Sequence, residues 1–137
     1  MAAMLLYAFP GSPTLFYGDE AGMQGFEDPL NRGTYPWGGE DETLLTLYRR
    51  LGALRKRPSL AQGDIAYLRA EGGVLVLERT FGDERTVCAL NAGSEGVDLT
   101  LNWQAPTAAD GATGQVFLSR GGKLALHLPP LDGVILV

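Results

Sequence analysis

The sequence predicts a mainly β protein: an antiparallel β-sandwich over residues 61–137, preceded by a helical and loop segment over residues 1–60. Three observations predict it. From about residue 64, short β-rich runs alternate with Gly, Asp, Asn and Pro turn signals. Residues 41–57 instead place apolar side chains at helical spacing. Nearer the N-terminus, Leu15-Phe16-Tyr17 is a continuous apolar run that opens into a glycine-rich, acidic stretch.

The first nine residues, Met1 to Phe9, are apolar on all sides, so a helix here expects several neighbours. The run lacks the basic leader of a signal peptide and is far too short to span a bilayer. Gly11 and Pro13 then punctuate the start of Leu15-Phe16-Tyr17, which has the unalternating pattern of a parallel strand covered on both faces. Gly18 stops that strand before Asp19 and Glu20. A strand ending in acids and glycines resembles the functional rim of an α/β barrel. On this reading residues 11–23 belong to a sheet's last, interior strand.

The helix over 41–57 buries Leu44, Leu47, Tyr48, Leu51 and Leu54 on one stripe. Glu40, Asp41 and Glu42 sit at its positive end, and Arg49, Arg50, Arg55, Lys56 and Arg57 toward its negative end. The dipole and solvation account for that basic cluster without nucleic acid. Pro58 is expected to end the helix. The strands follow at 65–68, 74–80, 86–90, 97–101, 115–118, 124–128 and 134–137. Runs 97–101 and 124–128 alternate cleanly, which predicts one wet face for each. No internal repeat or heptad is visible.

Two motifs now bear on family. Gly11, Pro13, Tyr17-Gly18-Asp19-Glu20 and Gly22-Met23, followed by Asp28-Pro29, Asn31-Arg32 and Tyr35-Pro36-Trp37, resemble the eighth-strand region of the α-amylase family of glycoside hydrolases. The neopullulanase and cyclomaltodextrinase group is the most similar in flavour. Tyr48-Arg49, Leu51, Leu54-Arg55, Pro58, Leu60 and Gly63 resemble that family's last barrel helix and its step into a C-terminal β domain. The resemblance implies that residues 1–60 end a catalytic (β/α)8 barrel and that 61–137 form the C-terminal β-sandwich. It implies maltooligosaccharide, cyclodextrin or pullulan as substrates of the full-length enzyme. The family's nucleophile, acid/base and third acid lie on strands four, five and seven, which would all precede residue 1. No catalytic residue is then present, and the chain alone is expected to be inactive. The alternative is an independent carbohydrate-binding or structural sandwich module.

The resemblance also implies site residues. Related glucosidases line the sugar pocket with an arginine from this post-strand segment, which assigns substrate contact to Arg32. The other reading is a salt bridge that ties the loop down, since Arg32 stands alone among seven carboxylates over 18–42; a planar guanidinium serves either role. Asp19 reaches the substrate or, with Glu20, holds the rim through hydrogen bonds. Neighbours on an extended chain point to opposite faces, so these two cannot flank one glycosidic bond. Tyr35 and Trp37 suit the apolar faces of pyranose rings. Against that, Pro36-Trp37 leads straight into the helix, which favours Trp37 packed beneath it. Tyr17, Glu20 and Asp28 stand behind the contacting residues.

Composition limits what the chain can be. A complete barrel takes about 250 residues, and the chain has 137. The net charge of −5 argues against nucleic acid or an anionic membrane as partner and suits a neutral sugar. A lone Cys88 excludes an intrachain disulfide, which fits a cytoplasmic protein, and it reads as a core residue. His127, the only histidine, falls on an alternating strand and is expected at the surface. The acids of 18–42 lack regular calcium-ligand spacing and no glycine loop suits a phosphate, so neither metal nor cofactor is expected. The expected partner is the rest of the barrel. Without it Met4, Leu5, Leu6, Leu15 and Phe16 would expose an apolar patch that invites self-association, or the segment would rearrange onto the sandwich.

Overall fold

The computed structural model describes residues 1–137, the side chain of Leu30 excepted. The sandwich comprises β1 (Asp64–Glu71), β2 (Val74–Phe81), β3 (Glu84–Asn91), β4 (Val97–Asn102), β5 (Thr107–Ala109), β6 (Val116–Arg120), β7 (Lys123–Leu128) and β8 (Asp132–Leu136). Two four-stranded sheets result, ordered β1-β2-β3-β8 and β4-β7-β6-β5. Their strand pairs are antiparallel. Gly72-Gly73 and Gly121-Gly122 turn the β1–β2 and β6–β7 hairpins with positive φ at both positions, a geometry that a side chain would strain.

Alternation places the core. Val74, Val76, Val87, Ala89 and Val134 from the first sheet meet Leu99, Leu101, Leu124, Leu126 and Leu128 from the second. As expected, β4 and β7 alternate buried with exposed residues. One side of the sandwich is closed: Ala109 and Val137 exchange backbone hydrogen bonds of 3.1 and 2.9 Å. Beside them the buried carboxylate of Asp110 accepts from the N–H groups of Ala112, Thr113 and Ile135 at 3.0–3.1 Å. On the other side the edge strands β1 and β4 remain unpaired with each other.

Three helices cover the outer face of the first sheet: α1 (Ala2–Ala8), α2 (Glu42–Leu54) and α3 (Pro58–Gln62). Met4, Tyr7, Leu51 and Leu60 pack there with Leu77, Cys88, Leu90 and Ile135. The middle of that sheet is thus buried on both faces, which is why β3 shows no exposed position along its length, whereas the edge strand β1 stays mostly exposed. Asp41 caps α2, its carboxylate accepting from Thr43 and Leu44 N–H at 2.9 and 3.0 Å. Pro58 does not stop α2, which already ends at Leu54. It opens α3 instead, where its fixed φ suits the first turn and its missing N–H costs nothing.

The expected strand at Leu15-Phe16-Tyr17 does not form. The segment carries no regular structure and pairs with no strand among the described residues, and Phe16 is 63% exposed. An interior parallel strand draws both its hydrogen bonds and its burial from neighbouring strands, so its sequence cannot impose strand structure without them. The expected apolar patch is also smaller than foreseen. Met4 is only 5% exposed, because α1 lies against β3 and β8; Leu6, Phe9, Leu15 and Phe16 stay exposed.

Two arginines bind the C-terminal end of α1 to the rest of the molecule. Arg79 of β2, 2% exposed, donates to the carbonyls of Ala8 (2.8 Å), Gly63 (2.7 Å) and Asp64 (3.3 Å). Arg55 donates to Tyr7 (3.0 Å), Phe9 (2.8 Å) and Gly11. Burial lowers the pKa of both guanidiniums, and the charge of Arg55 adds to the effect on Arg79. No carboxylate pairs with Arg79 among the described residues. Replacing Arg79 by Met should therefore lower unfolding free energy by about 2–4 kcal/mol in urea titrations, because three carbonyls lose their donors. Arg79→Lys should recover less than half of that loss, since an ammonium cannot span three divergent acceptors.

A second anchor joins α3 to the sandwich. The Glu84 carboxylate accepts from Ser59 N–H at 2.9 Å and from the Ser59 hydroxyl, which also meets Thr86 Oγ1 at 2.8 Å. The hydroxyl's hydrogen bond holds the Glu84 carboxyl below the ordinary glutamate range, against a smaller opposing effect of burial. Ionised Glu84 accordingly stabilises the fold at all pH above the ordinary glutamate value, and that contribution disappears as pH falls through the depressed one. Melting temperature measured from about pH 7 to about pH 3 should drop across that window, and Glu84→Gln should flatten the drop while costing about 1 kcal/mol at neutral pH.

Candidate functional site

The loop from Gly18 to Asp41 carries the residues that the motifs single out. Gly18 turns the chain at φ +91°, and a Cβ there would lie 2.3 Å from Met23 Sδ, so a side chain would strain the turn and displace Met23. The chain then enters a 3₁₀ turn, Asp19–Ala21. Glu20 folds back, its carboxylate accepting from Gly18 N–H at 3.1 Å, whereas Asp19 points to solvent. The two acids therefore diverge across a tight turn rather than along an extended strand. Asp41 N–H donates to Ala21 O at 3.0 Å and ties this turn to the start of α2.

The second part of the loop is held by side chains. The Tyr17 hydroxyl donates to Gly33 O at 3.1 Å. Arg32 grips Asp28 with two parallel hydrogen bonds, Nε to Oδ1 at 3.0 Å and Nη2 to Oδ2 at 2.8 Å. Both side chains are largely exposed, so the pair ties the loop locally and leaves three of the five guanidinium donors uncommitted to Asp28. Tyr35 and Trp37 lean together with ring centroids 4.6 Å apart and planes tilted by 50°.

Trp37 does not pack beneath α2. It is 86% exposed. The turn closed by Gly39 N–H on Pro36 O (2.8 Å) carries the indole outward before the helix begins at Glu42. Burial raises the pKa of Tyr7, Tyr35 and Tyr48 first. The Glu20 charge then raises Tyr7 and Tyr35 further, and the Asp19 charge does the same for Tyr48, ahead of smaller effects from Tyr7 and Glu20.

Elsewhere, His127 lies at the surface with Nδ1 at 2.7 Å from Asp98 Oδ1. Cys88 is buried, and desolvation pushes its thiol up to about 12, far from a reactive thiolate. No group of three or more His, Cys, Asp or Glu converges among the described residues. No described helix is long and apolar enough to cross a membrane. Arg85 and Trp103, which meet on the open side of the sandwich, escaped the sequence reading. They belong to no motif, and only their stacking, at 4.9 Å from guanidinium carbon to ring centroid, marks them.

No protein-family model matches the chain. Over 153 residues it is 33% identical to the amylopullulanase of Thermoanaerobacter thermohydrosulfuricus, across 100% of this chain and 10% of that protein. Over 138 residues it is 34% identical to the cyclomaltodextrinase of Geobacillus thermopakistaniensis, across 93% of this chain and 23% of that protein. The solved α-amylase of Anoxybacillus has the same fold at a TM-score of 0.85 and 31% identity, across 97% of this chain and 30% of that one. The chain is a C-terminal-type region of α-amylase family enzymes.

This α-amylase family region spans 10% and 23% of the lengths of those two curated relatives. The likeness runs through the first residues as well as the sandwich, so the solvent-exposed course of Leu15-Phe16-Tyr17 does not separate it from the family. The exposed Trp37 and buried Trp103 make a direct check of the loop geometry available. Acrylamide quenching should resolve an accessible and a protected tryptophan population, and Trp37→Phe should abolish the accessible one with a stability change below about 0.5 kcal/mol.

Proposed function

We propose that this chain is the C-terminal portion of an α-glucan glycoside hydrolase acting on maltooligosaccharides, cyclodextrins or pullulan. Residues 1–60 end its catalytic barrel and residues 61–137 form its C-terminal β domain. The observation that carries this reading is the full-length likeness to a minor part of an amylopullulanase and a cyclomaltodextrinase. The loop chemistry supports a contributory role. Retaining glycosidases set two carboxyls about 5 Å apart across the scissile bond; here Glu20 is turned back on its own backbone and Asp19 points away from it.

Within the assembled enzyme, Arg32, Asp19, Tyr35 and Trp37 contact the glucan, with Tyr17, Glu20 and Asp28 holding their backbone and orientation. The barrel covers the apolar hollow of about 450 Å³ between α1 and the following turn, lined by Leu5, Leu6, Phe9 and Pro13. In its absence that surface drives self-association of the isolated chain. A cytoplasmic location is favoured by the single buried thiol.

The test has two arms. The isolated chain should release no reducing sugar from maltoheptaose, β-cyclodextrin or pullulan, and measurable hydrolysis would overturn the assignment. Grafted in place of the matching region of the Geobacillus cyclomaltodextrinase, it should sustain activity, and Arg32→Ala in that chimera should raise KM about tenfold through lost hydrogen bonds to the sugar. A folded but silent chimera would speak equally against the proposal.

A further inference from the structure

The open side of the sandwich forms a groove of about 990 Å³ between the edge strands β1 and β4. Its chemistry is unusual for a gap between sheets. The floor is aliphatic, with Val76, Leu99 and Leu101, and the rim is dense in hydrogen-bonding groups. Arg57, Arg69 and Arg85 lie among Glu78, Asp83 and Glu84, so opposite charges cancel along the walls. Such a lining has no net field to select an anion or a cation. It offers donors and acceptors in alternation, which suits a neutral ligand with hydroxyl edges and apolar faces.

One end of the groove is built rigidly. The Arg85 guanidinium pairs with Glu78, donates to Asn102 O at 2.8 Å and stacks on Trp103. Trp103 is only 6% exposed, and its indole N–H donates to Thr107 O at 2.9 Å. The other end is adjustable. Arg57 Nε and Arg69 Nε make no hydrogen bond and lie 3.5 and 3.4 Å from the nearest carboxylate oxygens, so both guanidiniums can be re-aimed at little loss. Exposed Gln104 adds an amide at the mouth. An added peptide strand fits less well. The β1 edge is interrupted by a bulge between Tyr67 and Arg69 and carries charged side chains, both of which oppose edge pairing.

We propose that this groove is a second carbohydrate site, separate from the Gly18–Asp41 loop, which binds a neutral α-linked glucan along the sandwich. The choice of α-glucan rests on the function proposed above; the preference for a neutral polyhydroxylated ligand rests on the groove itself. Arg69, Gln104 and Arg85 supply hydrogen bonds to hydroxyls, while half-exposed Leu68, above the buried floor, covers the apolar face of a sugar ring.

The chain has two tryptophans, one at each site, and this makes the sites separable. In the Trp37→Phe chain only Trp103 reports. Maltoheptaose should change its emission saturably with about millimolar affinity. In that background Gln104→Ala and Arg69→Ala, both at partly or fully exposed positions, should each weaken binding about fivefold, the loss of one hydrogen bond. A Trp103 signal that stays flat to saturating maltoheptaose, or an affinity untouched by both substitutions, would overturn the proposal. The wild-type signal minus that of Trp37→Phe reports the loop alone. A null difference with the Trp103 response intact is the result expected of a loop that lacks its barrel, and it assigns the binding to the groove.

Discussion

A guanidinium without a carboxylate partner is the constraint on which the rest of the arrangement depends. Taking a lone charge out of water costs several kcal/mol even after relaxation. Arg79 meets that cost with backbone carbonyls from three places: the end of α1, the residue after α3 and the start of β1. Each charge-assisted bond contributes about 1.5–3 kcal/mol, and the carbonyl end of a helix is the favourable place for a cation. The same three contacts fix α1, α3 and the first strand relative to β2. Arg55 repeats the arrangement one step further along the chain, gathering Tyr7, Phe9 and Gly11. The N-terminal helix is therefore not an appendage. Its carbonyl end is the acceptor set that makes a buried cation tolerable.

From that clamp the layering follows. Helices, first sheet and second sheet stack in order, and the central strands of the first sheet are buried on both faces because they form the middle layer. The second sheet faces water on one side, so its strands alternate. The closed edge is sealed by Asp110, whose carboxylate gathers the N–H groups of a tight turn and of β8. The opposite edge lacks such a seal. That asymmetry leaves the groove between β1 and β4, and it is a property of the topology rather than of any one residue.

Much of this was legible in the residues. Seven of the eight strands and the Asp41-capped helix were written in periodicity and turn chemistry, which act over a few residues. β5 was not, since three residues of Thr-Ala-Ala hold no strand signal and depend on pairing with β6. Pro58 read as a terminator, although proline tolerates only the first turn of a helix and so marks a start as readily as a stop. Trp37 read as core because an indole beside a helix start is usually covered, but Gly38 and Gly39 let the chain turn it outward. Leu15-Phe16-Tyr17 read as a strand, correctly as a statement about apolar patterning and wrongly as one about this chain, since strand pairing is supplied from outside the segment. Of the candidate site, the Arg32–Asp28 pair was legible as charge, and the groove around Arg85 and Trp103 was not, because it joins residues from five strands with no local spacing in common.

The two candidate carbohydrate regions differ in how they are supported, and that difference bears on what each can do unaided. The Gly18–Asp41 loop is held by the exposed Arg32–Asp28 pair, one tyrosine hydroxyl, the Glu20 carboxylate on Gly18 N–H and a few backbone bonds. An exposed ion pair is worth about 0–1 kcal/mol, too little to hold a binding surface at the tolerance a sugar demands. The groove is built on sheet strands whose inner faces form the buried core, and Arg85 there is fixed by an ion pair, a carbonyl and a ring at once. The loop thus gains precision only when neighbouring elements brace it, whereas the groove's rigid end is braced by the fold itself. Under the two proposals above, the loop takes part in the reaction only within a barrel, while the sandwich retains a glucan whether or not catalysis occurs nearby.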